Sequence, residues 1–188
     1  MKLKVSVLLL AGVISGPSYA ADTYVFDPEF TIPAFEVGHL GFTTQRGRFG
    51  KTQGKVVLDF AQHTGQVDFT IFTNSLDMGS SGWTAHIASE GLFNVEKHPT
   101  MSFRSEKLHF EGDKVVGAEG QLTLLGVTRP VTLTVARFAC GSHPVTRRSI
   151  CAGDISATIR RSEFGMNKYI PVVSDEIQIA VPVEAYKN

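Results

Sequence analysis

Histidine and cysteine are two residue types whose side chains could bind a metal or carry out acid–base chemistry. The six histidines are His39, His63, His86, His98, His109 and His143. Zinc sites that can be read from sequence usually contain a close histidine pair, such as HxH or HExxH. No such pair occurs, so the sequence argues against a metal site.

The motifs of familiar catalytic sites are also missing. There is no G-x-S-x-G nucleophile elbow and no P-loop, and the stretch GSSG at 79–82 reads as a flexible approach to a helix. Acidic residues occur mainly where turns and helix ends are expected, and there carboxylates usually cap or meet solvent. We therefore predict that the protein has no catalytic residues and is not an enzyme.

The two cysteines, Cys140 and Cys151, flank a polar segment that contains glycine and proline. Residues 1–20 combine Lys2 and Lys4 with a short apolar run and small residues before Ala21, the pattern of a cleaved secretory signal. An even cysteine count in an exported chain favours a disulfide over a metal site. We predict a Cys140–Cys151 bridge, a signal peptide at 1–20 and a single mature domain at 21–188.

Short alternating runs separated by turn residues dominate the mature sequence. They are residues 23–27, 31–38, 46–60, 65–73, 100–111, 113–125, 130–139, 152–161 and 175–186. Strands of this length and spacing are typical of an antiparallel sandwich or barrel. One helix is predicted at 83–97, ending before Pro99 and covering one end of the barrel.

Each run has one apolar face, and the whole sequence contains 13 phenylalanines. A closed barrel of about eight strands can be filled by side chains or can hold one ligand. Periodicity alone leaves both possibilities open. The hairpin around Gly126–Pro130, QLTLLGVTRPVTLTV at 121–135, shows the ambiguity well, because its apolar face could line a core or a cavity.

The charge balance bears on possible partners. Lysine plus arginine and aspartate plus glutamate both number 18, and no basic cluster stands out. A nucleic-acid-binding protein would normally show a basic excess on one face. No segment after the signal is apolar enough for a membrane span, so we expect neither a nucleic-acid partner nor a transmembrane segment.

Four stretches resemble the YceI-like family of periplasmic polyisoprenoid-binding proteins, in order along nearly the whole mature chain. They are FEVGHLGFTTQRGRFGKTQGKVVLD at 35–59, HIASEGLFNVEKHPTMSFRS at 86–105, GQLTLLGVTRPVTLTV at 120–135 and RRSEFGMNKYIPVVSDEIQIAVPVEA at 160–185. The resemblance implies an all-β fold, an antiparallel eight-stranded lipocalin-like barrel with one short capping helix. It also implies a periplasmic location, a lumen that takes a long isoprenoid or similar lipid, and a possible homodimer.

Two features depart from the family pattern. Relatives usually carry an arginine and an aspartate before the position of His86, where this chain has GSSGWTAH. The cysteine pair is not a general family feature either. The first departure suggests that the polar head of the ligand differs here.

The resulting hypothesis is a periplasmic protein that holds a polyprenyl or quinone-like lipid for transport, storage or stress response, with no other cofactor. His39, at the end of an alternating run, either hydrogen-bonds a turn or meets the ligand head at the barrel mouth; His86 is the second candidate there. The alternatives are an enzyme using His39 or His86 as acid or base, and a filled barrel without ligand. The expected lumen lining is Phe35, Val37, Phe49, Val56, Leu58, Phe69, Ile71, Phe103, Leu122, Leu124, Leu133 and Val135.

Overall fold

The structure is a computed structural model and describes residues 21–188; the expected signal peptide lies outside the described residues. The strands are β1 (Asp22–Phe26), β2 (Ala34–His39), β3 (Thr43–Phe49), β4 (Thr52–Asp59), β5 (Thr64–Phe72), β6 (Leu76–Asp77), β7 (Thr100–Glu111), β8 (Lys114–Leu124), β9 (Val127–Ser142), β10 (Ser149–Arg160) and β11 (Val173–Lys187). One α-helix, α1 (Ser81–Ala88), and two 3-10 helices, at Thr73–Ser75 and Arg161–Phe164, complete the described elements.

The sheet closes on itself as an antiparallel barrel. The strand order is β1-β4-β5-β7-β8-β9-β10-β11, and β11 pairs back with β1. The long strand β11 pairs with β2 along its first half, with Ile177 opposite Val37, and with β1 near its end, with Ala185 opposite Phe26. β2 pairs in turn with β3, so β1 with β2 and β3 with β4 each act as one interrupted strand. The predicted eight-stranded barrel is thus confirmed.

The run at 46–60 is interrupted rather than continuous. β3 ends at Phe49 and β4 begins at Thr52. The Thr52 hydroxyl donates to the Thr31 carbonyl at 3.0 Å, and the Phe49 amide donates to the Pro33 carbonyl at 2.9 Å. These bonds tie the break in one strand to the break between β1 and β2, so the two interruptions lie side by side.

The hairpin at 121–135 forms as predicted, but its turn lies earlier than expected. Leu125 and Gly126 both have positive φ, and β9 already begins at Val127. Two central residues with positive φ match the twist of antiparallel strands. Pro130 therefore lies within β9, opposite Gln121, and not in the turn.

The helix is much shorter than the predicted 83–97. Ser80 caps its start by accepting a hydrogen bond from the Trp83 amide, and the helix ends at Ala88. The cap residue Ser89 has extended backbone, with φ −73° and ψ 172°, and its hydroxyl donates to the His86 carbonyl. Gly91 follows with φ +81°, a conformation that favours glycine. Leu92, one of the apolar residues that suggested a longer helix, instead enters the core from a turn.

Inward-facing residues form two apolar clusters stacked along the barrel axis. One surrounds Phe35, Phe49, Phe93 and Phe164 and lies under α1. The other surrounds Tyr24, Leu58 and Val115 and lies toward the end where Phe60 packs on Phe110. Within residues 21–188, no helix is both long enough and apolar enough to cross a bilayer.

Candidate functional site

A large apolar cavity of about 370 Å³ occupies the barrel beneath α1. Strands from all around the barrel contribute to its wall, because alternate residues of every strand point inward. The lumen is therefore not filled by side chains, and the filled-barrel alternative is disfavoured. Many wall residues, such as Ile71 and Val131, remain only half-buried although they point inward.

Nine of the 12 residues expected to line the lumen border this cavity. They are Phe35, Val37, Phe49, Phe69, Ile71, Phe103, Leu122, Leu124 and Leu133. The other three, Val56, Leu58 and Val135, border a second apolar cavity of about 80 Å³ at the opposite end of the lumen, which Leu133 also borders. Period-two alternation thus identified inward faces, while the division of the lumen was not foreseen.

The two cavities share a ring of wall residues. They are Phe26, Val67, Leu133, Ile155 and Val183. The Phe26 ring meets the Phe69 ring edge to face, with centroids 5.1 Å apart. Phe26 is the largest side chain in the ring and is only 7% exposed, so we expect it to form the main partition between the cavities.

The mouth of the large cavity can be located from wall residues that also meet solvent. We call these six residues the rim: Leu40, Trp83, His86, Lys168, Tyr169 and Val172. They come from the β2–β3 turn, from α1 and from the segment before β11. Sequence reasoning proposed only His86 among them for this end of the barrel.

His39 and His86 both border the cavity. Both belong to a row of four aromatic rings. The distance between ring centroids is 6.0 Å from His39 to Trp83, 5.9 Å from Trp83 to His86, and 5.8 Å from His86 to Tyr169. In the described chain, neither imidazole hydrogen-bonds to a carboxylate, so the pairing that would favour acid–base catalysis is missing.

Arg161 holds the segment that supplies half of the rim. This side chain is 3% exposed, and its guanidinium donates to the backbone carbonyls of Met166, Lys168, Val173 and Ser174 at 2.8 to 3.0 Å. Burial lowers the pKa of Arg161, and the nearby carboxylate of Asp175 opposes that shift. Because carbonyl oxygens carry no net charge, this network orders the segment without neutralising the guanidinium.

Asp175 interacts chiefly with Ser162, at the start of the second 3-10 helix. The Ser162 amide donates to one carboxylate oxygen at 2.9 Å, and the hydroxyl donates to the other at 2.8 Å. The hydrogen bond from the Ser162 backbone amide is the main reason why the pKa of Asp175 lies below its ordinary value. Asp175 thus fastens the 3-10 helix to β11 and does not border the cavity.

The cavity wall has a one-sided electrostatic character. Within residues 21–188 its basic members are His39, His86, Arg161 and Lys168, and no aspartate or glutamate borders it. No group of three potential metal-ligating residues comes together in the same part of the chain. The arrangement suits an apolar molecule, with basic groups only near the mouth.

The predicted disulfide is confirmed. Cys140 on β9 and Cys151 on β10 lie directly opposite each other and are bonded. Cys151 is buried and borders the small cavity. The bridge therefore ties two neighbouring strands at the end of the barrel away from the rim.

Solved structures with the same architecture include BcnA of Burkholderia cenocepacia, with a TM-score of 0.70 and 25% identity, covering 85% of this chain and 98% of BcnA. A polyisoprenoid binding domain from Saccharophagus degradans has a TM-score of 0.66 and 16% identity, covering 88% of this chain and 98% of that domain. At that identity the second likeness shows the fold alone.

Full-length sequence relatives give the closer family relationship. A UPF0312 protein of Pseudomonas aeruginosa is 31% identical over 194 residues, with both chains fully covered. A UPF0312 protein of Pectobacterium atrosepticum is 29% identical over 191 residues, covering 100% of this chain and 98% of the relative. The sequence profile of the YceI-like domain matches residues 24–185. The chain therefore belongs to the YceI-like family.

Proposed function

We propose that this protein is a periplasmic carrier or store that holds the apolar tail of an isoprenoid or similar amphiphilic lipid in its lumen. The observation that supports this most directly is the apolar cavity of about 370 Å³, which no carboxylate of the described chain borders. Removing hydrocarbon from water contributes about 0.8 kcal/mol per methylene. An apolar lumen therefore retains such a tail with few directional contacts.

The volume of the cavity suggests how a longer tail would be arranged. At about 30 Å³ per heavy atom, the share of a water molecule in the liquid, the cavity holds roughly a dozen carbons. A tail of this size fits inside, whereas a long polyprenyl would leave further units and its head at the rim. The row of rings from His39 to Tyr169 would then contact a flat quinone-like or phenolic head.

Native mass spectrometry and solvent extraction of protein purified from its own periplasm would test the proposal. We expect an apolar or amphiphilic molecule to be recovered in a reproducible ratio to protein. Repeated recovery of protein alone, with no uptake of prenyl quinones or long-chain amphiphiles, would refute it.

A matched pair of variants makes the test specific to the lumen. Val131 borders the large cavity, and its neighbour Thr132 is exposed on the outer face of β9. Val131→Trp should fill part of the lumen and lower ligand content, while Thr132→Trp should leave ligand content unchanged. Equal ligand content in the two variants would mean that the molecule binds elsewhere.

The enzymatic alternative remains open to a direct test through the two histidines. If His39 or His86 were an acid or base, alanine at either position would abolish conversion of a bound lipid. We propose instead that both side chains only contact the head group. On that basis, His39→Ala and His86→Ala should change ligand affinity and leave the bound molecule chemically the same.

A further inference from the structure

Large exposed hydrophobic residues are concentrated around the mouth of the barrel. Within the described chain eight such residues occur, and five belong to the rim or to the turn beside it: Leu40, Phe42, Trp83, Tyr169 and Val172. The other three, Val25, Phe30 and Val145, border neither cavity. An apolar patch gathered at one end of a barrel is typical of an interaction surface.

The patch is braced across the three segments that form it. The Leu40 amide donates to the Val172 carbonyl at 2.9 Å, which joins the β2–β3 turn to the segment before β11. The rings of Trp83 and Tyr169 lie on either side of His86, which joins α1 to the same segment. The exposed side chains are thus presented together on a single supported surface.

Phe42 extends this surface beyond the cavity wall. It is 88% exposed at the tip of the β2–β3 turn and does not border the cavity. Its amide donates to the His39 carbonyl, so the turn that presents the ring is itself ordered. Phe42 is therefore suited to contact something outside the barrel rather than a molecule within it.

The polar groups of the patch match one kind of surface. Lys168 belongs to the rim, and its Nζ lies 5.1 Å from the centre of the Tyr169 ring. Tryptophan and tyrosine are favoured where hydrocarbon meets water at a membrane, and lysine can bury its stem there while keeping its charge in the head-group layer. The charge of Lys168 and the absence of wall carboxylates complement anionic lipid heads.

We propose that the rim and Phe42 dock the barrel mouth onto a lipid bilayer with anionic head groups, so that lipid passes between bilayer and lumen without crossing water. The inference rests on the proposed function, because it presumes that the lumen holds lipid. Four of the five exposed residues of the patch, all except Phe42, also line the cavity. A bilayer would place hydrocarbon against the mouth, whereas a protein seated there would close it.

The single tryptophan of the sequence makes the proposal directly measurable. Trp83 belongs to the rim, so intrinsic tryptophan fluorescence reports from the docking surface alone. The protein is titrated with vesicles of phosphatidylcholine containing a minority of phosphatidylglycerol, and with vesicles of phosphatidylcholine only. We expect a blue shift, quenching by acyl-chain-brominated lipid, and stronger binding to the anionic vesicles that weakens as salt is added.

Two exposed positions provide a matched comparison. Phe42→Asp should weaken vesicle binding about tenfold or more, because burial of a phenylalanine is lost and a negative charge is added. Val145, 82% exposed in the β9–β10 turn, gives the control: Val145→Asp should bind within about twofold of the wild type. Lys168→Gln should lose part of the preference for phosphatidylglycerol.

Lipid extraction from the same variants separates docking from holding. When lipid is supplied from detergent micelles rather than from a bilayer, Phe42→Asp should hold lipid at the wild-type ratio, since Phe42 does not border the cavity. Two results would overturn the docking proposal and leave the proposed function intact. One is a lipid-loaded wild type whose Trp83 fluorescence shows no blue shift with vesicles, and the other is equal vesicle binding by Phe42→Asp and Val145→Asp. A further outcome is a wild type that self-associates without binding vesicles, together with a Phe42→Asp variant that no longer self-associates. This result would show that a second copy of the chain, and not a bilayer, covers the rim. Failure of the wild type to hold any lipid would refute the proposed function itself.

Discussion

Replacing Phe26 with alanine should join the two cavities and lengthen the tail that the lumen accepts. Phe26 is the largest of the five residues shared by the two cavity walls, and its ring meets Phe69 at 5.1 Å. In the wild type, affinity in a series of single-chain amphiphiles should rise with length and level off near a dozen carbons. Beyond that length, further carbons would remain outside the large cavity.

The size of the change follows from the volumes. The small cavity of about 80 Å³ accommodates roughly three carbons at about 30 Å³ each, and the space left by the ring adds to this. At about 0.8 kcal/mol per methylene, three carbons contribute about 2.4 kcal/mol. Phe26→Ala should therefore bind a chain three carbons past the wild-type limit about fiftyfold more tightly than the wild type does.

Displacement of a fluorescent fatty-acid analogue by chains of increasing length would measure this limit. Phe26→Ala should also lose about 3–5 kcal/mol of unfolding free energy, as buried aromatic truncations do. The matched control is Phe110→Ala, because Phe110 packs in the same apolar cluster and borders neither cavity. It should lower stability and leave the length limit unchanged.

The refuting result is a folded Phe26→Ala whose length limit equals that of the wild type. If that variant is too unstable to assay, Phe26→Leu should give a smaller extension in the same direction. If the length limit of Phe110→Ala increased as much as that of Phe26→Ala, the reasoning would also be refuted. The increase would then come from a general loss of packing and not from removal of the Phe26 ring. Either outcome would mean that Phe26 does not partition the lumen.

Three further predictions concern stability. Replacing Cys140 and Cys151 together by alanine should lower the unfolding free energy by about 3 kcal/mol, because the unfolded chain is then no longer cross-linked. Urea titration measures this free energy. An unchanged value would show that the bridge does not stabilise the fold by constraining the unfolded chain. Arg161→Met should destabilise the protein and speed hydrogen exchange just before β11, because four backbone carbonyls lose a charged donor. Arg161→Lys should restore little of the lost stability, because an ammonium cannot reproduce the planar guanidinium contacts. Full restoration by lysine would show that the positive charge alone is enough. The pKa of Asp175 is lower in the folded state than in the unfolded state, so its contribution to stability is present above the ordinary carboxyl pKa and is lost as pH falls through the folded value. Asp175→Asn should therefore flatten the fall in stability below about pH 4, and an unchanged slope in acid unfolding would contradict the hydrogen bonds to Ser162.

The wall of the lumen was predictable because strand alternation is a local property of the sequence. All 12 expected residues border one of the two cavities. The partition was not predictable in the same way. Phe26 ends a short first strand, and its ring reaches the shared wall only because β11 pairs with β1 and closes the barrel. The pairing of β1 with β11 joins residues that are far apart in the sequence, and local periodicity cannot predict such a pairing.

The rim was largely missed because it lies where periodicity ends. Leu40 belongs to a turn, and Tyr169 and Val172 belong to an irregular segment between a 3-10 helix and β11. The predicted helix at 83–97 also ran too far, since the apolar pattern outweighed the stop signals at Ser89 and Gly91. Trp83 was noticed only as a departure from the family pattern, and the structure places it at the mouth.

Arg161 shows why charge near the mouth could not be inferred from composition. In the sequence it is half of an isolated Arg-Arg pair, and nothing in that pattern predicts burial, whereas the structure buries it against backbone carbonyls. A carboxylate would be the usual partner of a buried guanidinium and would cancel its charge. Here Asp175 instead accepts hydrogen bonds from the amide and hydroxyl of Ser162, so its nearby charge offsets only part of the Arg161 charge beside the lumen. The positive character of the mouth thus has two sources, and Lys168→Gln should reduce the preference for anionic lipid without abolishing it.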